Sequence, residues 1–167
     1  KEVLYLENRP GNVASHDGSV KWIDRAIEVV EPYAEGICIR GDTDFSLTGN
    51  FDRWSERADF VFGMDARAVL IKRAEELPKE AWKVLVRKPK YTVKTQERQK
   101  PESIKEEIVK EKGYKNIRLE SERVAEFEYQ PGKCDKMYRM VVLEKNLSVE
   151  EGKKALIDDI RYFFYIT

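Results

Sequence analysis

The chain has 167 residues, of which 41% are hydrophobic and 37% are charged. That length is enough to bury one hydrophobic core, or one core and a small second body. The 31 basic and 31 acidic residues argue against a surface that is basic throughout, but they leave room for a local basic patch. No apolar run approaches the roughly 20 residues of a membrane-spanning helix, and two cysteines make no disulfide framework. We therefore expect a cytoplasmic protein with no membrane partner.

The two ends of the chain look like cut points inside a longer protein. The first residue is Lys1, and a strand-like apolar run over 3–6 begins at once. The last residues, 162–167, are the most aromatic stretch. An independent domain rarely ends within an unprotected strand, because its free edge invites aggregation. We expect an interior slice of a larger α/β enzyme that cannot complete a reaction alone.

The first eighty residues alternate between strand and helix patterns. Helices are indicated by apolar residues at i, i+3 and i+7, and strands by short apolar runs between Gly and Pro. The predicted elements are a strand over 3–6, a helix over 20–30 capped within 15–19 and ended by Pro32, a buried strand over 37–39, a short helix over 51–57, a strand over 60–62 and a helix capped by Asp65 that reaches Leu77. This alternation is typical of a mixed or parallel sheet with flanking helices.

The second half of the chain has a different pattern of predicted elements, in which most are strands that follow one another closely. The predicted elements are strands over 82–86, 91–95, 125–129, 138–143 and 162–166, a helix over 101–112 and a turn at Pro131–Gly132. We therefore place a subdomain boundary near 80–86, with an α/β core over 1–80 and a β-rich subdomain over 81–167.

The strongest candidate for a functional site in the sequence is the end of an apolar strand. This strand is followed directly by Gly41, Asp42, Thr43 and Asp44. The carboxyl ends of strands in an open α/β sheet face the ligand crevice. Carboxylate oxygens there suit Mg²⁺, which prefers oxygen ligands and keeps several waters. Two metals held by such carboxylates support phosphoryl transfer. The alternative interpretation is a turn former, because aspartate also accepts backbone N–H bonds in tight turns.

The same Asp-x-Asp pattern opens haloacid-dehalogenase-type phosphatases and metal-dependent glycosyltransferases. The phosphatase pattern places a threonine two residues past the second aspartate, and this chain has Ser46 there. The later acidic pair of those enzymes would have to be Asp158–Asp159. A phosphatase is therefore the less favoured alternative.

Longer blocks of the sequence point to one family. They are 4–12 (LYLENRPGN), 39–45 (IRGDTDF), 60–66 (FVFGMDA), 93–95, 115–119, 124–127, 138–142, 145–148 and the closing 162–167 (YFFYIT). In this order, and across nearly the whole chain, they resemble the DDE transposases of bacterial insertion sequences.

The resemblance implies a partial RNase H-like core followed by the β-rich insertion of such transposases. It also implies that three carboxylates bind two Mg²⁺ ions for DNA strand cleavage and joining. Asp42 takes the place of the second carboxylate, whereas Asp44 stands where the family often has Gly. The first aspartate would precede Val3 and the glutamate would follow Thr167. The implied partners are double-stranded DNA, as transposon ends and target, and a second copy of the parent protein.

A basic segment follows the predicted boundary. It contains six cations and one carboxylate, Glu97, and its basic residues are Arg87, Lys88, Lys90, Lys94, Arg98 and Lys100. Such a cluster neutralises phosphates and positions a duplex without reading its sequence. It fits either the insertion of a transposase or a non-catalytic DNA-binding remnant. A solvated basic loop, offset by the acidic helices beside it, is the structural alternative.

Overall fold

The computed structural model describes residues 2–88, 107–108, 111–113, 115–151 and 154–167. The helices and strands are α1 (Ser19–Val30), β1 (Cys38–Gly41), α2 (Phe51–Trp54), β2 (Asp59–Met64), α3 (Ala68–Glu75), β3 (Lys83–Val84), β4 (Lys115–Tyr129), β5 (Tyr138–Glu151) and β6 (Lys154–Ile166). Short 3-10 turns lie at Glu31–Tyr33, Thr43–Phe45, Thr48–Asn50 and Lys79–Ala81. In the described part of the chain, no helix has the length and apolar character needed to cross a membrane.

In the described residues, six strands form one sheet in the order β1-β2-β6-β5-β4-β3. β1 and β2 are parallel, with Cys38 opposite Asp59 and Gly41 opposite Phe62. β2 pairs antiparallel with β6, and β3 pairs antiparallel with β4. The sheet is therefore mixed, and the predicted α/β class with a mixed sheet and flanking helices is confirmed at this level.

The described chain forms two compact units. Unit 1 contains Lys1–Glu76, Glu126–Val142 and Phe163–Thr167, and unit 2 contains Leu77–Ala125 and Leu143–Tyr162. The first passage from unit 1 to unit 2 falls between Glu76 and Leu77, a few residues before the expected boundary near 80–86. The chain then returns to unit 1 twice, whereas the sequence division assigned all of 81–167 to the second subdomain.

Aromatic rings form the core of unit 1. The Phe51 ring stacks on Phe62 at 5.5 Å with an interplanar angle of 7°, and it lies 4.7 Å from the ring of Phe60. Trp54 is 1% exposed and donates from Nε1 to Asp24 in α1 at 2.8 Å. Met140, Phe164 and Ile166 supply fully buried positions from β5 and β6. Burial of these large side chains is the main source of stability in unit 1.

Helix α1 lies where its apolar spacing predicted it, and its N-cap falls within the predicted range of 15–19. Gly18 is the N-cap with a φ of 74°, a left-handed conformation that glycine adopts without strain, and no side chain caps the helix. Ser19 is already the first helical residue, so none of the polar side chains within 15–19 caps the helix. Asp65 is likewise not a cap, since α3 begins after Arg67 and has no side-chain cap bond.

The strand predicted over 3–6 is absent. Residues 2–10 have no regular secondary structure, and Val3 and Leu6 are 81% and 93% exposed. A strand needs a neighbour to pair its backbone groups, and no described strand pairs with this run. Tyr5 instead packs its ring 5.0 Å from that of Trp22, whose indole N–H donates to Glu7 at 2.8 Å.

Unit 2 contains charged pairs that link β4 to the segment after β3 and to β5. In β4, the Glu122 side chain is 5% exposed and its carboxylate accepts from Arg87 Nε at 2.6 Å. Arg123 pairs with the Glu144 carboxylate of β5 at 2.7 Å, and its guanidinium lies 5.2 Å from the centre of the Trp82 ring. Opposite charges facing each other across strands stabilise a sheet.

The remaining elements differ from the prediction mainly in length. The helix predicted over 51–57 is shorter, at Phe51–Trp54, and the strand predicted over 82–86 is reduced to Lys83–Val84. The strands predicted over 125–129, 138–143 and 162–166 are present but much longer. β1 is present, but the burial expected over 37–39 is wrong, since Cys38 is exposed and Ile37 and Ile39 are only partly buried. The strand over 91–95 and eight of the twelve residues of the helix over 101–112 lie outside the described residues.

Candidate active site

Asp42 is the first residue after β1, at the carboxyl end of a parallel strand pair. It is the N-cap of the Thr43–Phe45 turn, and its Oδ1 accepts from the backbone N–H of Asp44 at 3.2 Å. Its side chain is exposed. Asp42 therefore forms the turn, as the structural alternative required, and it also presents a carboxylate at the sheet edge where α/β proteins bind ligands.

Two glycines allow the Asp42 backbone to approach the sheet closely. A Cβ at Gly63 in β2 would lie 3.0 Å from the backbone N of Thr43 and 3.3 Å from the carbonyl carbon of Asp42. A Cβ at Gly41 would lie 2.8 Å from the Phe62 ring. A side chain at either position would push against the turn or the core, so the glycines fix where Asp42 lies.

Asp44 has a different environment from Asp42. Its Oδ2 accepts a short hydrogen bond from the hydroxyl of Ser15 in the loop before α1. The Ser15 carbonyl accepts in turn from Arg9 Nη2 at 2.6 Å. The Asp44 carboxylate thus links the Thr43–Phe45 turn to the loop that contains Ser15. It has this structural role in addition to the metal-binding role predicted from the sequence.

The chemistry of this turn fits Mg²⁺ only as part of a larger ligand set. Exposed carboxylate oxygens are suitable donors, and Mg²⁺ needs few protein ligands because it retains waters. Within the described residues, however, no group of three or more His, Cys, Asp or Glu side chains is close enough to hold a metal ion. Asp42 would hold the ion, with Asp44 beside it, only together with ligands from elsewhere.

Of the predicted DNA-binding residues in the basic segment, the structure describes only the first two, Arg87 and Lys88. The Arg87 guanidinium contacts both carboxylate oxygens of Glu122, at 2.6 and 3.1 Å, and Lys145 Nζ lies 3.5 Å from the same carboxylate. The hydrogen bond from Arg87 holds the pKa of Glu122 below its usual value. Arg87 is therefore engaged within unit 2, while Lys88 is exposed. The predicted DNA-binding residues Lys90, Lys94, Arg98 and Lys100 lie outside the described residues.

Sequence reasoning missed a polar network around Asp52 in α2. Its carboxylate accepts from the Tyr138 hydroxyl and from the backbone N–H of Asp135, both at 2.6 Å. The Tyr138 hydrogen bond lowers the pKa of Asp52, whereas burial and that same bond raise the pKa of Tyr138 to about 12. No local motif signals this network, because its partners are more than eighty residues apart in the sequence.

Cys134 lies beside this network and is a structural thiol. It is buried, and its Sγ donates to the carbonyl of Thr48 at 3.1 Å. Burial and the nearby Asp52 charge raise the pKa of the thiol to about 11. A thiol that stays protonated is a poor nucleophile and a poor metal ligand, so Cys134 contributes packing rather than chemistry.

Comparison with models of protein families, with curated proteins and with solved structures gives no match for this chain. The case for a function therefore depends on the residues and geometry described above.

Proposed function

We propose that this chain is part of the catalytic domain of a DDE transposase of the kind found in bacterial insertion sequences. In this proposal unit 1 belongs to an RNase H-like core, and the β-rich part over 81–167 is the insertion that precedes the last catalytic helix. The intact enzyme would cleave transposon-end DNA and join it to target DNA. The chain by itself supplies one of the three catalytic carboxylates and is inactive.

The observation that carries the proposal is the place of Asp42. It is an exposed carboxylate directly after a strand whose neighbour, β2, runs parallel to it. Its sequence context, Arg40 to Phe45, is the one that resembles the second carboxylate of the family. The crowding of Gly63 against Asp42 and Thr43 supports a role that needs this backbone held in one position.

The chemistry expected of the intact enzyme is in-line attack of water or a 3′-hydroxyl on a DNA phosphodiester. A pair of Mg²⁺ ions, when bound, activates the attacking oxygen and stabilises the leaving one. Asp42 would contribute a carboxylate oxygen to that site. Its Oδ1 already accepts from the N–H of Asp44, a bond that orients the carboxylate before any ion binds.

The decisive test uses the coding sequence that flanks this chain. Its translation should supply a strand bearing an aspartate before Val3 and a helix bearing a glutamate after Thr167. In that extended protein, we expect Asp42→Asn to abolish Mg²⁺-dependent cleavage of transposon-end duplexes in a gel assay. The fold should survive, because the asparagine Oδ1 can still accept from the N–H of Asp44.

Asp59→Asn is the matched control, since Asp59 is exposed and lies at the opposite, amino end of the parallel pair. It should cleave like the wild type. Cleavage retained by Asp42→Asn would contradict the site assignment. Hydrolysis of a simple phosphomonoester by the 167-residue chain would favour the phosphatase instead, and DNA binding without any cleavage by the extended protein would favour a non-catalytic remnant.

A further inference from the structure

A cleft of about 650 Å³ lies within unit 1, next to the turn that carries Asp42. One wall is the segment from Ser46 to Asn50, which follows that turn directly. Val20 in α1 and Arg67 before α3 line two further sides, and the β4–β5 connection closes the cleft with Tyr129 and Lys133. Its volume is in the range of small-ligand sites, large enough for a nucleotide unit.

The charge of this cleft is one-sided. Among the described residues, its lining includes two cations, Arg67 and Lys133, and no carboxylate, although the whole chain has as many acidic as basic residues. Both cations are exposed, and neither forms a salt bridge in the part of the chain that the structure describes. Arginines elsewhere, such as Arg53, Arg57 and Arg123, are paired with carboxylates.

Backbone packing and hydroxyl groups complete the cleft. A Cβ at Gly49 would lie 3.7 Å from Cδ of Lys133, so the lysine stem crosses the backbone at Gly49. Thr48 and Tyr129 add hydroxyl groups to the lining. Arg73, which does not line the cleft, lies 5.6 Å from the centre of the Tyr129 ring. Cationic and hydroxyl donors around an open cleft are the groups that bind phosphate oxygens.

We infer that this cleft binds a phosphate group, and that the group is a backbone phosphate of a nucleic acid strand. A nucleic acid is favoured over a free anion because the cleft is larger than one phosphate and has apolar surface, from Val20 and Pro131, beside its cations. The inference needs no metal and no second carboxylate. It therefore goes beyond the proposed function and holds or fails separately from the role of Asp42.

The test uses the 167-residue chain and two probes. A fluorescein-labelled DNA duplex is titrated by anisotropy at several NaCl concentrations, and inorganic pyrophosphate is titrated by calorimetry. We expect Arg67→Gln and Lys133→Gln each to weaken duplex binding about two- to tenfold. Each should also lower the slope of log K against log salt by about 1. Circular dichroism and thermal unfolding check that each variant is folded.

Lys79→Gln is the matched control, because it removes one exposed lysine in unit 2 and should leave binding unchanged within about twofold. Equal losses in Lys79→Gln and Lys133→Gln would overturn the inference, as would an absence of binding to both probes. Pyrophosphate binding that is sensitive to Arg67 and Lys133, without duplex binding, would keep the phosphate site and reject the nucleic acid.

Discussion

At the scale of single residues, Gly63 gives a direct test of how the Asp42 turn is held. A methyl group there would lie 3.0 Å from Thr43 N and 3.1 Å from Thr43 Cγ2. Backbone atoms cannot move aside as a flexible side chain can, so the turn would be displaced. We expect Gly63→Ala to lower the free energy of unfolding in urea by about 1–3 kcal/mol, as overpacking does in other interiors.

The control for this change is Gly36→Ala. Apart from Gly36 itself and its two chain neighbours, no residue has an atom within 4 Å of a Cβ at Gly36. This substitution should leave the free energy of unfolding unchanged or raise it by about 0.4–1 kcal/mol, because alanine restricts the unfolded chain. Equal unfolding curves for Gly63→Ala and Gly36→Ala would show that the turn yields freely and that Gly63 does not fix Asp42.

Asp42 and Gly63 also show how much of the candidate site could be predicted from the sequence. The position of Asp42 at a strand end could be predicted, because an apolar run followed by Gly and Asp is a local signal. The contact between Gly63 and Thr43 could not be predicted. A glycine inside a strand indicates that something approaches closely, but only the parallel pairing of β1 and β2 identifies what does.

At the scale of elements, Glu122 tests whether charged pairs hold unit 2 together. Its buried carboxylate is shared by Arg87 and Lys145. Glu122→Gln removes the negative charge and leaves both cations without it. We expect a loss on the order of 1 kcal/mol at pH 7, since Arg87 is 63% exposed and solvent screens its charge. The free energy of unfolding in urea measures this loss.

The pH dependence of this pair has a definite sign. The Arg87 hydrogen bond keeps the folded pKa of Glu122 below the ordinary value of 4.5. Its contribution to stability is therefore present above pH 4.5 and is lost as the pH falls through the lowered folded pKa. The difference between wild type and Glu122→Gln should shrink on acidification.

Glu126→Gln, in the same strand, is the comparison. Its pair with Arg139 is 3.7 Å long and 62% exposed on both sides, so the change should stay within about 0.5 kcal/mol. Equal losses in the free energy of unfolding for Glu122→Gln and Glu126→Gln would mean that the burial of Glu122 does not strengthen its ion pairs.

The same pairs explain why strand lengths were predicted poorly. Residues 115–124 are rich in charged side chains, and a period-2 apolar pattern is weak there. β4 nevertheless begins at Lys115, and its inner part is stabilised by contacts of Glu122 and Arg123 with other strands. Hydrophobic periodicity detects the buried face of an element, whereas these partners are 21 to 35 residues away.

At the scale of the whole molecule, the class of fold followed from sequence but the division into units did not. Strand and helix periods are local, and together they indicated a mixed α/β sheet. The return of Glu126–Val142 and Phe163–Thr167 to unit 1 depends on non-local contacts such as β6 on β2 and Tyr138 on Asp52. Neither contact has a signature within a short window of sequence.

At this scale, the zero net charge of the chain makes the salt dependence of duplex binding a test of the predicted basic segment. Since the chain is neutral overall, any strong salt dependence of duplex binding must come from a local cluster. Replacing Lys88, Lys90 and Lys94 together by Gln should lower the slope of log K against log salt by about 2.7, at roughly 0.9 for each phosphate that is no longer neutralised. Arg87 is left in place because Glu122 already engages it.

A triple control separates a phosphate-binding segment from a general loss of positive charge. Lys79, Lys83 and Lys112 are exposed and belong to unit 2. Changing all three to Gln removes the same charge at other positions, so the slope should fall by less than about 1 if the segment holds the duplex. An equal reduction of the slope in both triple variants would contradict a role of the basic segment in binding the duplex. A slope that changes only with Arg67 and Lys133 would confine duplex binding to the cleft beside Asp42.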